Sequence, residues 1–260
     1  MGIELMFWNT NYAFLLTNLV LKDFRVRYRN MSLGIFWSLL NPLVMMGVIT
    51  FVFSRIFQNM TVPQYAVFVL CGLVPFNFFS MAWSSGTTSM VDNSALVKRV
   101  RCPREIIPIA SVLANCLHFF IQILLLVFFV LVFGNRLNSN WFWLPVVFGL
   151  EVIFVCGLVL ITSALNVYLR DVRYVVESLN LVLFWLIPIL YQLSIVPERY
   201  HYIYQLNPIT AVILACRRIL LESAPPPTTL LIKLPLVSLL VFWLGLVVFS
   251  RLKPRFADHL

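Results

Sequence analysis

Six stretches of this chain, 34–56, 65–88, 107–133, 141–168, 174–194 and 230–250, are each long and apolar enough to need lipid as their solvent. A helix crossing ~30 Å of hydrocarbon takes about 20 predominantly apolar residues. No soluble fold of 260 residues could hide so many such stretches. Composition agrees: 61% of residues are hydrophobic and 11% charged, against about 45–50% and about 25% in soluble domains. The expected fold is all-α, a polytopic membrane protein forming one domain over residues 1–260. No cleavable leader is expected, because Glu4 and no basic run precedes the first apolar part.

Charge then sets the orientation. Lys22, Arg25, Arg27 and Arg29 precede the first span, and Lys98, Arg99, Arg101 and Arg104 lie between the second and third. Arg170 and Arg173 lie between the fourth and fifth, and Arg251, Lys253 and Arg255 follow the sixth. Thirteen of the nineteen basic residues thus fall on one side, with Arg55, Arg136, Arg199, Arg217, Arg218 and Lys233 on the other. The positive-inside rule places both termini in the cytoplasm. The net charge of +9 would suggest nucleic acid in a soluble chain; here topology accounts for it and no nucleic-acid partner is expected.

Three segments outside the spans read as structured. In 11–30, polar residues at Asn11, Asn18, Lys22, Arg25 and Arg29 recur at helical spacing, with Ala13, Leu16, Val20 and Phe24 opposite. That pattern predicts an amphipathic helix lying in the interface plane, with Arg27 on its apolar side snorkelling outward. Segment 92–107 is short and basic, and Pro103 is placed to open a helix whose first turn holds Arg104 and Glu105. Region 195–229 should lie outside: Pro197 starts a short helix ending near Asn207–Pro208, and the 13 residues from Ile209 to Leu221 are too few to span. They read as a re-entrant or interfacial helix, broken by Pro225, Pro226 and Pro227 before the last span.

The chemistry is mostly defined by what is missing. A phosphate loop ends in Lys followed by Ser or Thr, whereas the four lysines are followed by Asp23, Arg99, Leu234 and Pro254. No two of the ten acids lie within three residues of each other, and no Gly-x-Ser-x-Gly occurs. The cysteines, Cys71, Cys102, Cys116, Cys156 and Cys216, form no CxxC pair, so neither a disulfide framework nor a metal site is expected. His118 reads as a helix-packing hydrogen-bonder. Glu151 is the one acid well inside a span; it either serves a polar path or is satisfied locally against another helix. No internal repeat of the kind that marks secondary transporters is visible.

The run Lys22-Asp-Phe-Arg-Val-Arg-Tyr-Arg-Asn-Met-Ser-Leu-Gly-Ile-Phe-Trp-Ser-Leu-Leu-Asn-Pro42 resembles the approach to the first span in polysaccharide-exporting permeases of the ATP-binding-cassette class. These are type-2 permeases that export O-antigen, teichoic acid or capsule. Residues 94–108 resemble the coupling segment of that family, and Leu165-Asn-Val-Tyr-Leu-Arg-Asp171 resembles the loop after its fourth span. Asn207–Pro208 followed by a short apolar helix with Arg217 resembles its outer re-entrant part. Each motif is weak alone; together, in order, they cover nearly the whole chain.

The resemblance implies a second copy of the chain, two copies of a nucleotide-binding ATPase that carries the ATP and magnesium, and a glycan on an undecaprenyl-type lipid as cargo. This chain would hold no cofactor and have no enzymatic activity. Lys98, Arg99, Arg101, Arg104, Glu105, Arg170 and Asp171 become candidates for coupling to the ATPase. Arg25, Arg27 and Arg29, whose planar forks suit phosphate, and Leu33–Gly34, where a tight turn or close ligand approach is possible, become candidates for receiving the cargo headgroup. Sugar must be held weakly enough to slide, so Phe76, Phe78, Phe79 and Trp83, with Trp37, are the expected aromatic conduit wall. A permease of the same class with a smaller lipid or drug as cargo, a passive channel, and a membrane-embedded lipid-processing enzyme remain the alternatives.

Overall fold

The computed structural model describes residues 10–29, 34, 36–56, 62–99 and 103–259. Leu33 and Arg101 lie outside the described residues, as does Cys102. The described chain is helical: α1 (Thr10–Tyr28), α2 (Phe36–Phe51, continued by a π-turn Val52–Ile56), α3 (Tyr65–Asp92), α4 (Ser94–Arg99), α5 (Ile106–Val132), α6 (Trp143–Tyr168), α7 (Val172–Leu186), α8 (Glu198–Leu206), α9 (Pro208–Leu220), α10 (Thr228–Leu252) and α11 (Phe256–His259).

Among the described residues, five helical segments are long and apolar enough to cross a membrane. They centre on α2, α3, α5, α6 and α10. The expected fifth span, 174–194, is cut short. α7 stops at Leu186 after 15 residues, about 22 Å of helix at 1.5 Å per residue against ~30 Å of hydrocarbon. The cause is local: a residue before proline is pushed out of the α region, and Ile187, before Pro188, takes φ −74° and ψ 140°. The chain runs irregularly to Gln192, turns through Leu193–Ile195, and resumes as α8. The same rule acts at Asn207–Pro208: Asn207 is extended and caps α9, its side-chain oxygen accepting from the Ile209 amide at 3.0 Å.

α3 is apolar on all sides, so it occupies the centre. Val67, Leu70, Val74, Ala82 and Met90 are completely buried along its length. Glycines let the neighbours close on it and on one another. A Cβ on Gly86 would lie 2.5 Å from Val159 of α6. A Cβ on Gly157 of α6 would lie 2.6 Å from the backbone nitrogen of Phe242 in α10, and one on Gly245 would lie 2.5 Å from the Gly157 carbonyl. Small residues at such crossings allow backbone-to-backbone packing in lipid. α7 is held to α3 by a polar link, Asn180 Nδ2 donating to Ser84 Oγ at 3.0 Å. By contrast α2, α7 and α10 leave large apolar side chains outside, among them Val48, Val182, Trp185, Leu236 and Trp243.

Candidate functional site

The basic clusters gather at one end of the bundle. There α1 does not lie free. Leu19 is buried, and Leu15, Leu16 and Val20 pack with it against α3, α4, α5 and α6 residues. Arg27 does not snorkel: it turns inward, Nη1 donating to Asn115 Oδ1 of α5 at 2.7 Å. Burial pulls its guanidinium below the usual arginine range, partly opposed by Asp23. Asn115 Nδ2 in turn donates to Ser85 Oγ of α3 at 2.8 Å, and Ser111 lies on the same hydroxyl. One turn on, the Tyr28 hydroxyl pairs with a His118 ring nitrogen at 2.6 Å, which is the packing role expected of that histidine.

These contacts wall a cavity of about 330 Å³ between α1, α3 and α5, lined by Lys22, Asp23, Arg27, Ser85, Asp92 and Ser111 among others. Lys22 Nζ donates to Asn93 Oδ1 at 2.6 Å across its mouth. Of the described headgroup candidates Arg27 reaches this cavity, while Arg25, Arg29 and Gly34 line a second, more open one of about 640 Å³. Gly34 has φ +49°, a backbone region that disfavours side chains. Among the described residues no atom would meet a Cβ there within 4 Å. The positive φ is that of a turn, and the open space leaves room for the close ligand approach that was the other expectation.

The expected coupling residues separate into two groups. Lys98 on α4, and Arg170 and Asp171 in the α6–α7 turn, face outward; the backbone of Arg99 ends α4. Arg104 and Glu105 are engaged within the chain. The α5 helix begins after them, at Ile106, rather than at Pro103. Arg104 Nη1 donates to the Lys253 carbonyl at 2.6 Å, and Glu105 forms an ion pair with Lys253 Nζ at 2.8 Å.

The expected conduit aromatics separate too. Phe76, Phe78, Phe79 and Trp83 are 2–6% exposed, stacked or edged on rings of the same chain. Phe78 lies 4.4 Å from Phe119, Phe79 lies 6.4 Å from Phe154, and Phe76 lies 5.5 Å from Phe184. In a single chain they are packing, because their ring faces are already taken. Trp37 is 46% exposed on α2 and apart from these ring contacts.

At the opposite end, sequence reasoning marked the segment that carries Arg217 but gave that residue no role. Arg217, near the last turn of α9, is 5% exposed. Its Nη1 donates to the Pro188 carbonyl at 2.6 Å, Nη2 to the Ile189 carbonyl at 2.7 Å, and Nε to the Phe68 carbonyl at 3.3 Å. The guanidinium lies 3.4 Å from the Phe68 ring centroid. It thus caps the carbonyls left unpaired where Pro188 breaks α7. Gly72 leaves room for this: a Cβ there would be 3.1 Å from Ile189 Cα and 3.2 Å from Arg217 Nη2. An arginine on a segment too short to span, following an X-Pro break, is the signal that pointed here. Glu151 is completely buried, and neither carboxylate oxygen has a hydrogen-bond partner. Among the described residues no hydrogen bond satisfies it locally, so the local pairing expected as one of its two roles is not seen.

The family model for ABC-2 type transporters matches residues 15–221. That interval runs from within α1 to the residue after α9. An O-antigen export system permease protein RfbA of Klebsiella pneumoniae is 31% identical over 257 residues, covering 98% of each chain. A protein of the same name from Myxococcus xanthus is 28% identical over 251 residues, covering 96% of each. The polysialic acid transport protein KpsM of Escherichia coli is 24% identical over 240 residues, covering 89% of this chain and 90% of that one. A buried central helix, a basic end and an opposite end with a broken helix thus accompany a family match over most of the length, and the chain belongs to the ABC-2 type transporter family of membrane permeases.

Proposed function

We propose that this chain is the membrane-spanning permease subunit of an ATP-driven exporter of cell-surface polysaccharide. The observation that carries the reading is the end-to-end likeness to O-antigen export permeases at 31–32% identity over 98% of the chain. Two copies would pair through the apolar faces that α2 and α7 leave uncovered, with the conduit between them. Two copies of a separate ATPase would bind ATP and magnesium and dock on the basic end, where Lys98, Arg170 and Asp171 face outward. The positive-inside rule puts that end, and both termini, in the cytoplasm of a bacterial inner membrane.

The cargo on this reading is a glycan on an undecaprenyl-type lipid pyrophosphate. The α1–α3–α5 cavity is its proposed docking point for the anionic headgroup. Arg27 supports this, since a half-buried guanidinium already oriented by Asn115 can turn a second N–H toward phosphate at little reorganisation. Arg25 and Arg29 on the rim would raise the local concentration of anionic lipid.

The test is reconstitution with the ATPase encoded beside this gene. The pair should hydrolyse ATP and place polysaccharide outside the membrane; this chain alone should do neither. Export of a short lipid or drug at the same rate, with no polysaccharide moved, would replace the cargo assignment. Conduction without nucleotide would remove the pump.

A further inference from the structure

The bundle's basic end is closed by a strap that neither the family membership nor the export reading explains. α10 ends at Leu252, and the chain then folds back through Lys253–Arg255 into α11. Phe256 is completely buried, in a cluster with Leu19 of α1, Met90 of α3, Val97 of α4, Ile107 of α5 and Leu160 of α6. The tail thus places one ring in an apolar cluster to which those five helices contribute, against the Tyr168 ring of α6 and the Phe249 ring of α10.

Polar contacts fix its position. The Tyr168 hydroxyl, at the end of α6, donates to the Leu252 carbonyl at 2.8 Å. The Tyr168 ring lies against Phe256 and, at 4.5 Å, against His259. Lys253 is held twice by the turn that leads into α5: its carbonyl by Arg104 at 2.6 Å and its ammonium by Glu105 at 2.8 Å. The second Glu105 oxygen is buried without a partner, so Lys253 is what compensates that carboxylate. Motion is transmitted only through elements that are physically continuous and rigid. Arg104 and Glu105, in the turn before α5, are committed to the tail, and the tail is committed to α6 and α10.

We propose that the Arg104–Lys253–Glu105 clasp is the mechanical joint through which the segment facing the ATPase moves α6 and α10. Arg104, Glu105 and Lys253 are then positioning residues within this chain, not contacts to the ATPase. The proposal rests on the export reading for the identity of the motor.

The test uses the full complex with Lys253→Met, Lys253→Glu, Glu105→Lys and the double swap Glu105→Lys with Lys253→Glu. Three quantities are read: ATPase subunit retained on purification, ATP hydrolysed, and polysaccharide exported per ATP. A fourth is independent of cargo: nucleotide-dependent labelling of Ser194→Cys at the outer turn by a membrane-impermeant maleimide. Single variants should retain the ATPase and hydrolyse ATP, with export per ATP and the labelling change both falling about tenfold, and the double swap should recover most of both, as coupled neighbours do in a double-mutant cycle. Lys253→Met keeps the aliphatic stem, so a loss there is not a folding loss if the melting temperature holds.

Loss of the ATPase subunit in step with export would make these residues docking contacts and overturn the joint. Wild-type labelling and export in all single variants would do the same, as would a folded double swap that fails to recover. If the wild-type complex moves no polysaccharide yet shows nucleotide-dependent labelling, the cargo reading fails. The joint is still decided by the labelling.

Discussion

Arg217→Met tests whether the outer end is held by one buried guanidinium. The substitution keeps most of the stem volume, so the cavity left is small and the polar loss dominates. The two short bonds, to Pro188 at 2.6 Å and Ile189 at 2.7 Å, vanish, and their carbonyls are left facing apolar surroundings. Each orphaned buried acceptor costs ~1–3 kcal/mol, and the lost guanidinium–Phe68 face contact adds ~2 kcal/mol when desolvated. Against this, Met no longer has a charge to desolvate, which returns several kcal/mol. A net loss of ~3 kcal/mol is about 100-fold in a local opening equilibrium. The assay is native-state hydrogen exchange on amides of 187–192 in detergent or nanodiscs. Expected is ~100-fold faster exchange confined to that turn, α8 and α9, with α3 and α6 unchanged. Arg217→Lys keeps a charge but not the planar fork that reaches two carbonyls at once, so its exchange should fall between, near tenfold by the same conversion. Exchange within threefold of wild type for Arg217→Met would refute the reasoning, because other groups or water would then be satisfying the carbonyls.

Gly157→Ala should lower the melting temperature by roughly 5 °C: its Cβ would sit 2.6 Å from the Phe242 backbone nitrogen, an overpacking cost of ~1–3 kcal/mol with a few degrees per kcal/mol. An unchanged melting curve would mean α6 and α10 do not cross as closely as described. Glu151→Leu should raise the melting temperature by a few degrees, since removing an unpartnered buried carboxyl relieves desolvation without orphaning another group. A stable Glu151→Leu protein that no longer exports would instead give the carboxyl a function. Gly34→Asn should export normally and Gly34→Val poorly, because Asn tolerates a φ of +49° and a β-branched residue does not. Equal damage by both would favour close approach of a ligand at Gly34 over a simple turn.

What the sequence made legible followed from solvent and from proline. Long apolar runs predicted spans where α2, α3, α5, α6 and α10 stand. Pro197 and the Asn207–Pro208 pair marked the edges of α8 and α9 within a residue or two. The rule that stopped α7 was equally present at Ile187–Pro188, but hydropathy runs straight across that bond, and a window of apolar residues outweighed one backbone restriction. Arg27 was misplaced for a related reason. A helical wheel shows which face a residue is on, not what waits on the other side, and Asn115, Ser85 and Ser111 make an apolar-looking interface polar at one spot. The four α3 aromatics could not be assigned from sequence, because a helix apolar all round gives no sign of which rings meet neighbours.

The distribution of polar contacts carries its own argument about how the chain can move. Along its middle the bundle is joined by close glycine crossings and interlocked rings, contacts that are short-ranged and admit little sliding. Charged side chains make their hydrogen bonds at two ends, Arg217 on the broken α7 segment and Arg27, Arg104 and Lys253 at the basic end, whereas the helices between are linked by a few neutral pairs such as Asn180–Ser84 and Thr87–Thr162. Hydrogen bonds can exchange partners with displacement, whereas packed cores resist continuous deformation and switch between discrete arrangements. A chain built this way should move its central helices as one block while its ends re-pair. The re-pairing sites are therefore where a motor at one end and a gate at the other would have to act.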